Sequence, residues 1–178
     1  DTSTNDSSML TATGAAGLDV DADPAALEQF QKLLNEVCLE LAQGIVRDAE
    51  GATKFVAVTV RNGKTEEDCL AIAYAIANSP LMKTALHASD ANWGRIVMAV
   101  GKAGVTLDIN ALDIFLGDVQ LMDAGQKSPE YTESQGAAVM AAEDITITID
   151  LNAGSATETV WTCDLSQEYV RINADYRS

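Results

Sequence analysis

A single carboxylate stands at a point in the sequence where it could contact a small polar ligand. Glu50 lies between Arg47-Asp48 and Gly51-Ala52-Thr53, just before an apolar run. A side chain at the mouth of a buried strand is well placed to face a cleft, where a carboxylate accepts hydrogen bonds from an amine or amide nitrogen. Position alone favours the structural alternative, in which Glu50 forms a salt bridge with Arg47 or Lys54.

Other residues capable of chemistry form weaker patterns. His87 is the only histidine, and without spaced cysteine or acidic partners it is expected at the surface or as a helix cap, so we predict no metal site. Asp19, Asp21 and Asp23 alternate in the manner of calcium ligands. They lack the glycine and the distal glutamate of an EF-hand loop, so a solvated loop with a helix cap is expected.

The three cysteines, Cys38, Cys69 and Cys163, are odd in number, far apart and set in apolar surroundings. Cysteine behaves as a small hydrophobe when it is not paired. We therefore predict buried free thiols in a reducing compartment and no disulfide framework.

Composition excludes two classes of partner. The 178 residues, 47% of them hydrophobic, suffice for one domain or two small ones. Eleven basic and 27 acidic side chains give a net charge of -16, which opposes attraction to nucleic acid and to anionic membranes. No stretch approaches the roughly 20 apolar residues of a membrane span. The apolar residues are periodic, so we expect the chain to fold.

The first predicted element is an amphipathic helix. Asp23 can cap it and Pro24 suits its first position, where a missing N–H costs nothing. Apolar residues then recur at steps of three and four. The pattern predicts a helix with one buried face that ends near Gly44. The face consists of Leu27, Phe30, Leu34, Val37 and Leu41.

Strand and helix signals alternate over residues 55–104. Residues 55–60 are predicted as a strand followed by a turn at Asn62-Gly63. Thr65 is expected to cap a helix that ends near Asn78. Pro80 is then expected to break the chain, before a third helix over residues 90–103 that stops at Gly104.

The last third of the sequence predicts strands and one short helix. Residues 145–151 alternate isoleucine or leucine with polar residues, and residues 157–163 are expected to be the return strand of a hairpin. Ser166 can cap a final helix in which Tyr169, Ile172 and Tyr176 share a face. Together these elements predict a mixed α/β (α+β) fold.

Four strings in this sequence resemble the ornithine acetyltransferase family of arginine biosynthesis, in the family's order and over the whole chain. They are Asp1-Thr2-Ser3-Thr4-Asn5-Asp6, Glu50-Gly51-Ala52-Thr53-Lys54-Phe55, Asp90-Ala91-Asn92-Trp93-Gly94-Arg95 and Ile172-Asn173-Ala174-Asp175-Tyr176-Arg177-Ser178.

The resemblance implies a self-cleaving acyltransferase with a ping-pong reaction. Acetyl would pass from N-acetylornithine to glutamate through an ester on a threonine that becomes a new N-terminus on cleavage. That threonine lies upstream of the first string in the family, so no catalytic residue is expected in this chain and the chain alone is expected to be inactive. Ser8, in Ser8-Met9-Leu10, follows the first string and is not expected to be the nucleophile.

The resemblance also assigns three residues to the amino-acid substrate, Glu50, Asn173 and Ser178. An asparagine amide and a serine hydroxyl can donate to the α-carboxylate that both substrates share. Glu50 can accept from the nitrogen that leaves in one half-reaction and attacks in the other. The family has threonine more often than serine at the last position, which preserves the hydroxyl.

The family's fold pairs a central α/β sandwich, built from two chains, with a smaller C-terminal α/β domain. Residues 1–50 are expected to belong to the sandwich and residues 51–178 to the second domain, with the last residues returning to the active site. The implied partner is an α chain from the same precursor, in an α2β2 assembly. No cofactor is implied, although some members also accept acetyl-CoA as a substrate. The expected location is the cytoplasm, or the mitochondrial matrix in a eukaryote.

Two alternatives belong to other functional classes. One is a related N-terminal-nucleophile hydrolase, such as an aminopeptidase, in which water replaces the acceptor amine. The other is a noncatalytic amino-acid-binding module. The Asp90 and Ile172 strings favour the transferase, because hydrolases of the broader fold group are not expected to share them.

Overall fold

The chain divides into two compact units, Asp1–Ile45 and Val46–Ser178. A computed structural model describes residues 9–17, 19 and 22–175. The first family string, Ser8, Asp21, Tyr176 and Ser178 lie outside the described residues. The described elements are, in chain order, α1 Pro24–Arg47, β1 Phe55–Gly63, α2 Glu66–Ala77, α3 Pro80–His87, α4 Trp93–Lys102, a 3-10 turn Ile109–Ala111, β2 Asp113–Leu116, β3 Val119–Asp123, β4 Gln126–Lys127, α5 Glu133–Met140, β5 Asp144–Asp150, β6 Ala156–Cys163 and α6 Gln167–Asp175.

Helix α1 begins as predicted and ends slightly later, at Arg47. Asp23 Oδ1 accepts hydrogen bonds from the backbone N–H groups of Ala25 and Ala26, at 3.1 and 3.2 Å. These bonds satisfy donors that have no partner inside the helix. The predicted cap at Asp23 is confirmed.

The predicted buried face of α1 is wrong for this chain. Phe30, Val37 and Leu41 are 45%, 54% and 62% exposed, and no residue of α1 is buried. Helix α1 is the only helix or strand that begins in the first unit among the described residues. An apolar stripe indicates which side of a helix requires a partner, and the residues described in this unit form no second layer that could supply one.

The second unit contains a six-stranded mixed sheet in the order β4-β3-β2-β5-β1-β6. Strand β1 runs parallel to β5 and antiparallel to β6. Its residues Val56, Val58 and Val60 are fully buried in the core. Helix α2 lies against β1 and β6 and contributes Ile72 and Ile76 to that core. The predicted mixed α/β fold is confirmed.

The predicted hairpin of β5 and β6 is wrong, because β1 lies between these two strands. The connection 151–155 crosses the end of β1 instead of turning tightly. Its backbone N–H groups donate to β1 carbonyls, from Leu151 to Arg61 at 3.0 Å and from Ala153 and Gly154 to Asn62 at 2.8 Å. Strands β5 and β6 are thus antiparallel to each other, with β1 between them.

Helices α2, α3 and α4 begin at side-chain caps. Thr65 Oγ1 accepts from the Asp68 N–H as predicted, Ser79 caps α3, and Asn92 caps α4. Pro80 is the first residue of α3 rather than a simple break. Proline is favoured at that position because its absent N–H would be unpaired there.

The cysteine prediction holds in part. Cys69 is buried and Cys163 is half-buried, whereas Cys38 is exposed, which corrects the expectation that all three are buried. Cys38 is exposed because it lies on α1, which has no buried residue. All three are free thiols.

Within the described part of the chain, no single helix is long and apolar enough to cross a membrane. Helices α2 and α3 reach that length and composition only as a pair, across a bend of 57°.

Candidate functional site

The structure brings together two of the three residues that the resemblance assigns to the substrate. Glu50 lies in the connection between α1 and β1, and Asn173 lies on α6. Asn173 Nδ2 donates to Glu50 Oε2 at 2.7 Å, although the two residues are 123 positions apart. Ser178 lies outside the described residues, so its part in the site stays a prediction.

Asn173 is held by its own helix as well as by Glu50. Its Nδ2 group also donates to the backbone carbonyl of Tyr169, one turn earlier, at 2.9 Å. Both amide protons therefore have protein acceptors. In this arrangement Asn173 orients Glu50, and both side chains remain exposed. The expectation that the Asn173 amide donates to a substrate carboxylate is corrected, because both of its protons already have acceptors within the protein.

The structural alternative for Glu50, a salt bridge to Arg47 or Lys54, is wrong. Arg47 forms a two-point pair with Asp144 at 2.6 and 2.8 Å, and its guanidinium carbon lies 3.7 Å from the ring centre of Phe55. Hydrogen bonding to Arg47 lowers the pKa of Asp144, although desolvation acts in the opposite direction.

Lys54 is also engaged elsewhere. Its Nζ donates to the backbone carbonyls of Met140 and Ala142, at 2.9 and 2.8 Å, at the C-terminal end of α5. An ammonium group satisfies helix carbonyls that have no partner within the helix. Both cations that flank Glu50 in the sequence are thus used to anchor the connection that carries it.

The same connection is fixed by a buried carboxylate, Asp164, which directly follows β6. Asp164 Oδ1 accepts from the N–H groups of Thr53 and Lys54, at 2.7 and 2.9 Å, and Oδ2 accepts from Thr53 Oγ1 at 2.8 Å. His87 Nδ1 lies 2.8 Å from Oδ2. Burial alone would raise the pKa of Asp164, but the hydrogen bonds from Thr53, His87 and Lys54 outweigh it and lower the pKa.

His87 lies at the surface, as in one of the two predicted alternatives, with its side chain 38% exposed. Ala88 is the C-cap of α3, so His87 is the last residue of that helix but does not cap it. Its bond to Asp164 could not be read from local sequence, because the two residues lie 77 positions apart. One signal was available: Asp164 is a charged residue that comes directly after an apolar strand. A carboxylate in that position requires nearby donors if it is buried.

Gly51 permits a close approach between the Glu50 connection and the start of α6. Its φ is +68°, and a Cβ built there would lie 2.8 Å from both Ser166 Oγ and the Tyr169 nitrogen. Ser166 caps α6 as predicted, accepting from the Tyr169 N–H at 3.2 Å. A side chain at position 51 would force α6, and with it Asn173, away from Glu50.

Depressions on the surface of the second unit include two near its helices and the start of β1. One of about 470 Å³ lies beside Thr53 and Lys54, between Arg47 and Asp144. The other, of about 250 Å³, lies between α2, α3 and α4 and is bordered by Arg95 and Lys102. The linings of both leave out Glu50 and Asn173, which lie on the open surface.

Chemically, the Glu50 and Asn173 pair presents a carboxylate with one oxygen held and one open. Oε2 is occupied by Asn173, whereas Oε1 accepts no hydrogen bond from the described residues. A fixed carboxylate with an open oxygen can accept from an amine or amide N–H.

Comparison with known proteins assigns the chain to a family. Residues 1–178 match the ArgJ family. The arginine biosynthesis bifunctional protein ArgJ of Pseudomonas syringae pv. tomato is 55% identical over 181 residues, covering all of this chain and 45% of that protein. The protein of the same name from Agrobacterium fabrum is 50% identical over 183 residues, covering all of this chain and 44% of that protein.

The fold agrees with a solved structure. The crystal structure of the arginine biosynthesis bifunctional protein ArgJ from Bacillus halodurans superposes with a TM-score of 0.89 at 36% identity, covering 99% of this chain and 83% of that chain. The chain spans a little under half the length of the curated relatives named above. By the extent of these matches, this chain belongs to the ArgJ family.

Proposed function

We propose that this chain is the substrate-holding part of an enzyme that transfers acetyl from N-acetylornithine to glutamate in arginine biosynthesis. Family membership over all 178 residues supports the reaction class, and the relatives named above are arginine biosynthesis proteins. The observation that carries the proposal is the 2.7 Å hydrogen bond from Asn173 to Glu50. It joins two of the strings by which the chain resembles acetyltransferases.

The chemistry of the two substrates suits this pair. The side chain of N-acetylornithine is cationic and that of glutamate is anionic, so shared recognition has to use the α-carboxylate and the α-nitrogen. Glu50 Oε1 accepts a hydrogen bond from that nitrogen, which is the leaving amine of one half-reaction and the attacking amine of the other. Ser178 donates its hydroxyl to the α-carboxylate.

The bond-making groups belong to the rest of the protein in this proposal. An N-terminal threonine is a suitable nucleophile, because its own α-amine titrates near neutrality and can act as its base. The oxyanion of the intermediate requires preorganised donors, which a partner α chain supplies. The working enzyme is then an α2β2 assembly in which residues 1–50 join the central sandwich and residues 51–178 form the second domain.

The proposal needs no resident cofactor. Acetyl-CoA enters, where it is used, as a substrate that acetylates the same threonine. The cytoplasm is the proposed location, in keeping with the bacterial relatives.

The first experiment uses the complete two-chain enzyme with N-acetylornithine and glutamate. We expect N-acetylglutamate and ornithine without free acetate. Acetate alone would indicate a hydrolase, and no turnover would indicate a noncatalytic binding module, so either outcome would overturn the proposal.

The second experiment tests the role of Glu50. Replacing Glu50 with glutamine keeps the shape but removes the charge, and a hydrogen bond to a charged group contributes about 1.5–3 kcal/mol. We therefore expect kcat/KM to fall roughly 10- to 150-fold in both half-reactions. An unchanged kcat/KM in both would show that Glu50 does not orient the nitrogen.

A further inference from the structure

Asp164 is a buried charge that the proposed chemistry does not use. Its side chain is fully buried, immediately after β6. Burying an unpaired carboxylate is costly, so its position has to be explained by the groups that donate to it. Those groups are unevenly distributed around it.

Three of the four hydrogen bonds to Asp164 come from Thr53 and Lys54, the residues that follow the Glu50 turn. They are the two backbone N–H bonds at 2.7 and 2.9 Å and the hydroxyl bond at 2.8 Å. The fourth joins Oδ2 to His87 Nδ1 at 2.8 Å and ties the carboxylate to the end of α3. Asp164 thus fixes the backbone of the connection that carries Glu50, against two other elements.

The segment from Asp164 to Asn173 contacts that connection at three successive points. Asp164 holds Thr53 and Lys54, the start of α6 packs on Gly51, and Asn173 holds Glu50. Contacts at three points restrict the positions that the side chains of the connection can take. Small displacements of a group that orients a substrate reduce rates strongly.

We propose that Asp164 is a positioning residue for the amino-acid site, which holds the Glu50 connection so that Glu50 meets the substrate nitrogen. The inference rests on the proposed function of Glu50. Asp164 touches neither substrate nor nucleophile, and it acts through Thr53, Lys54 and Glu50.

The test is a double-mutant cycle in the complete enzyme, with D164A, E50Q and their combination. We expect D164A to raise KM for both glutamate and N-acetylornithine and to lower kcat/KM at least tenfold. If Asp164 acts through Glu50, the double variant loses no more than the more impaired single variant, because the two changes disable one function. Losses that multiply, or a kcat/KM for D164A within twofold of the wild type, would overturn the inference.

A conservative variant separates positioning from loss of folding. In D164N the amide oxygen can still accept from the Thr53 and Lys54 N–H groups, while its NH2 group faces the Thr53 hydroxyl. We expect D164N to retain most of the activity that D164A loses. An equal loss in both variants, or none in either, contradicts the inference. If D164A does not fold, T53V, which removes the hydroxyl bond to Asp164 and is expected to raise KM, takes its place in the cycle with E50Q.

Asp150 supplies the matched control. It is a buried aspartate in the same unit that collects hydrogen bonds from Arg61, Asn62 and Asn152, away from the site. We expect D150A to lower the melting temperature while kcat/KM stays within twofold of the wild type. A loss of kcat/KM in D150A equal to that in D164A would mean that stability alone explains both. If E50Q leaves kcat/KM unchanged, the proposed function of Glu50 fails together with this inference, whereas multiplying losses overturn only the inference.

Discussion

The two ends of strand β1 are each fixed by a buried aspartate, but with different partners. At the end near Phe55, Asp164 accepts hydrogen bonds from two backbone N–H groups and a hydroxyl, and lies within hydrogen-bond distance of an imidazole nitrogen. At the end near Gly63, Asp150 pairs with the guanidinium of Arg61 at 2.7 Å and also accepts from Asn62 and Asn152.

The difference lies in what each carboxylate orders. The Asp150 end holds the turn of β1 against the connection 151–155, so it secures the strand order of the sheet. A permanent cation balances the charge there. The Asp164 end holds an exposed connection that carries Glu50, and its donors are backbone amides and polar side chains. A buried aspartate thus orders the connection 151–155 at one end of β1 and the connection that carries Glu50 at the other.

The largest expected effect is the loss of either carboxylate. D164A and D150A each leave several donors unpaired, and an unsatisfied buried donor costs about 1–3 kcal/mol. We expect comparable decreases in the urea midpoint of the complete enzyme for the two variants. A decrease in one variant only would break the equivalence of the two ends.

Glycine substitutions give the next largest effect. In G51A the new Cβ would lie 2.8 Å from Ser166 Oγ and from the Tyr169 nitrogen. The backbone φ of +68° would strain an alanine there as well. Gly104 has a similar φ of +75° with no atom within 4 Å, so G104A isolates the backbone strain of about 1–2 kcal/mol. We expect G51A to lower the melting temperature more than G104A does. We also expect G51A to lower kcat/KM.

At the other end of β1, Gly154 is the counterpart of Gly51. A Cβ there would lie 2.2 Å from the Gly63 carbonyl oxygen. G154A should therefore destabilise the fold strongly while the folded fraction keeps its KM. A changed KM in G154A would show that both ends of β1 support the site.

The aspartates at both ends of β1 should contribute to the loss of stability at acidic pH. Hydrogen bonds outweigh burial and lower the pKa of Asp164 and of Asp150 in the folded protein. A lowered folded pKa contributes stability above the unfolded value near 3.9, and this contribution disappears as pH falls through the folded pKa. D164N and D150N should each flatten the decrease of the melting temperature below about pH 4. An unchanged acid slope in either variant would contradict the lowered pKa of that carboxylate.

The smallest effect is the loss of one hydroxyl. T53V removes the bond to Asp164 Oδ2 but keeps both backbone amide bonds, so the expected cost is about 1 kcal/mol. T59V is its control in the middle of β1, where Thr59 Oγ1 lies 2.9 Å from Thr159 Oγ1. We expect T53V and T59V to lose similar amounts of stability, and only T53V to raise KM. Equal KM values in the two variants would show no difference between the end and the middle of the strand.

Local signals in the sequence were sufficient for several elements. Strand β1 and helix α2 follow from an apolar run, a turn and the Thr65 cap. Helix α3 carries a comparable signal, since Ser79-Pro80 resembles Asp23-Pro24 at the start of α1, and interpreting Pro80 as a break missed it. The short strands β2, β3 and β4 were also missed, because four, five and two residues carry little periodicity. Helix α5 was missed as well, although its capping box of Thr132 and Gln135 is a local signal.

The other errors concern contacts between distant residues. Strand order is a tertiary property, so alternation in β5 and β6 could not reveal that β1 separates them. Glu50 and Asn173 were identified by resemblance, whereas Asp164 was missed because Thr53 and Lys54 lie more than 100 positions away. The apolar face of α1 likewise indicates that a packing partner is needed, but it does not indicate which chain provides that partner.

The place of β1 between β5 and β6 also constrains the order of events during folding. Strands that are close in sequence can pair within microseconds, whereas β1 has to find partners far along the chain, which is slower. A direct β5–β6 hairpin would occupy the edges that β1 needs. Such a hairpin is therefore incompatible with the native strand order, and the hydrogen bonds of the connection 151–155 with Arg61 and Asn62 require β1 to be in place between β5 and β6.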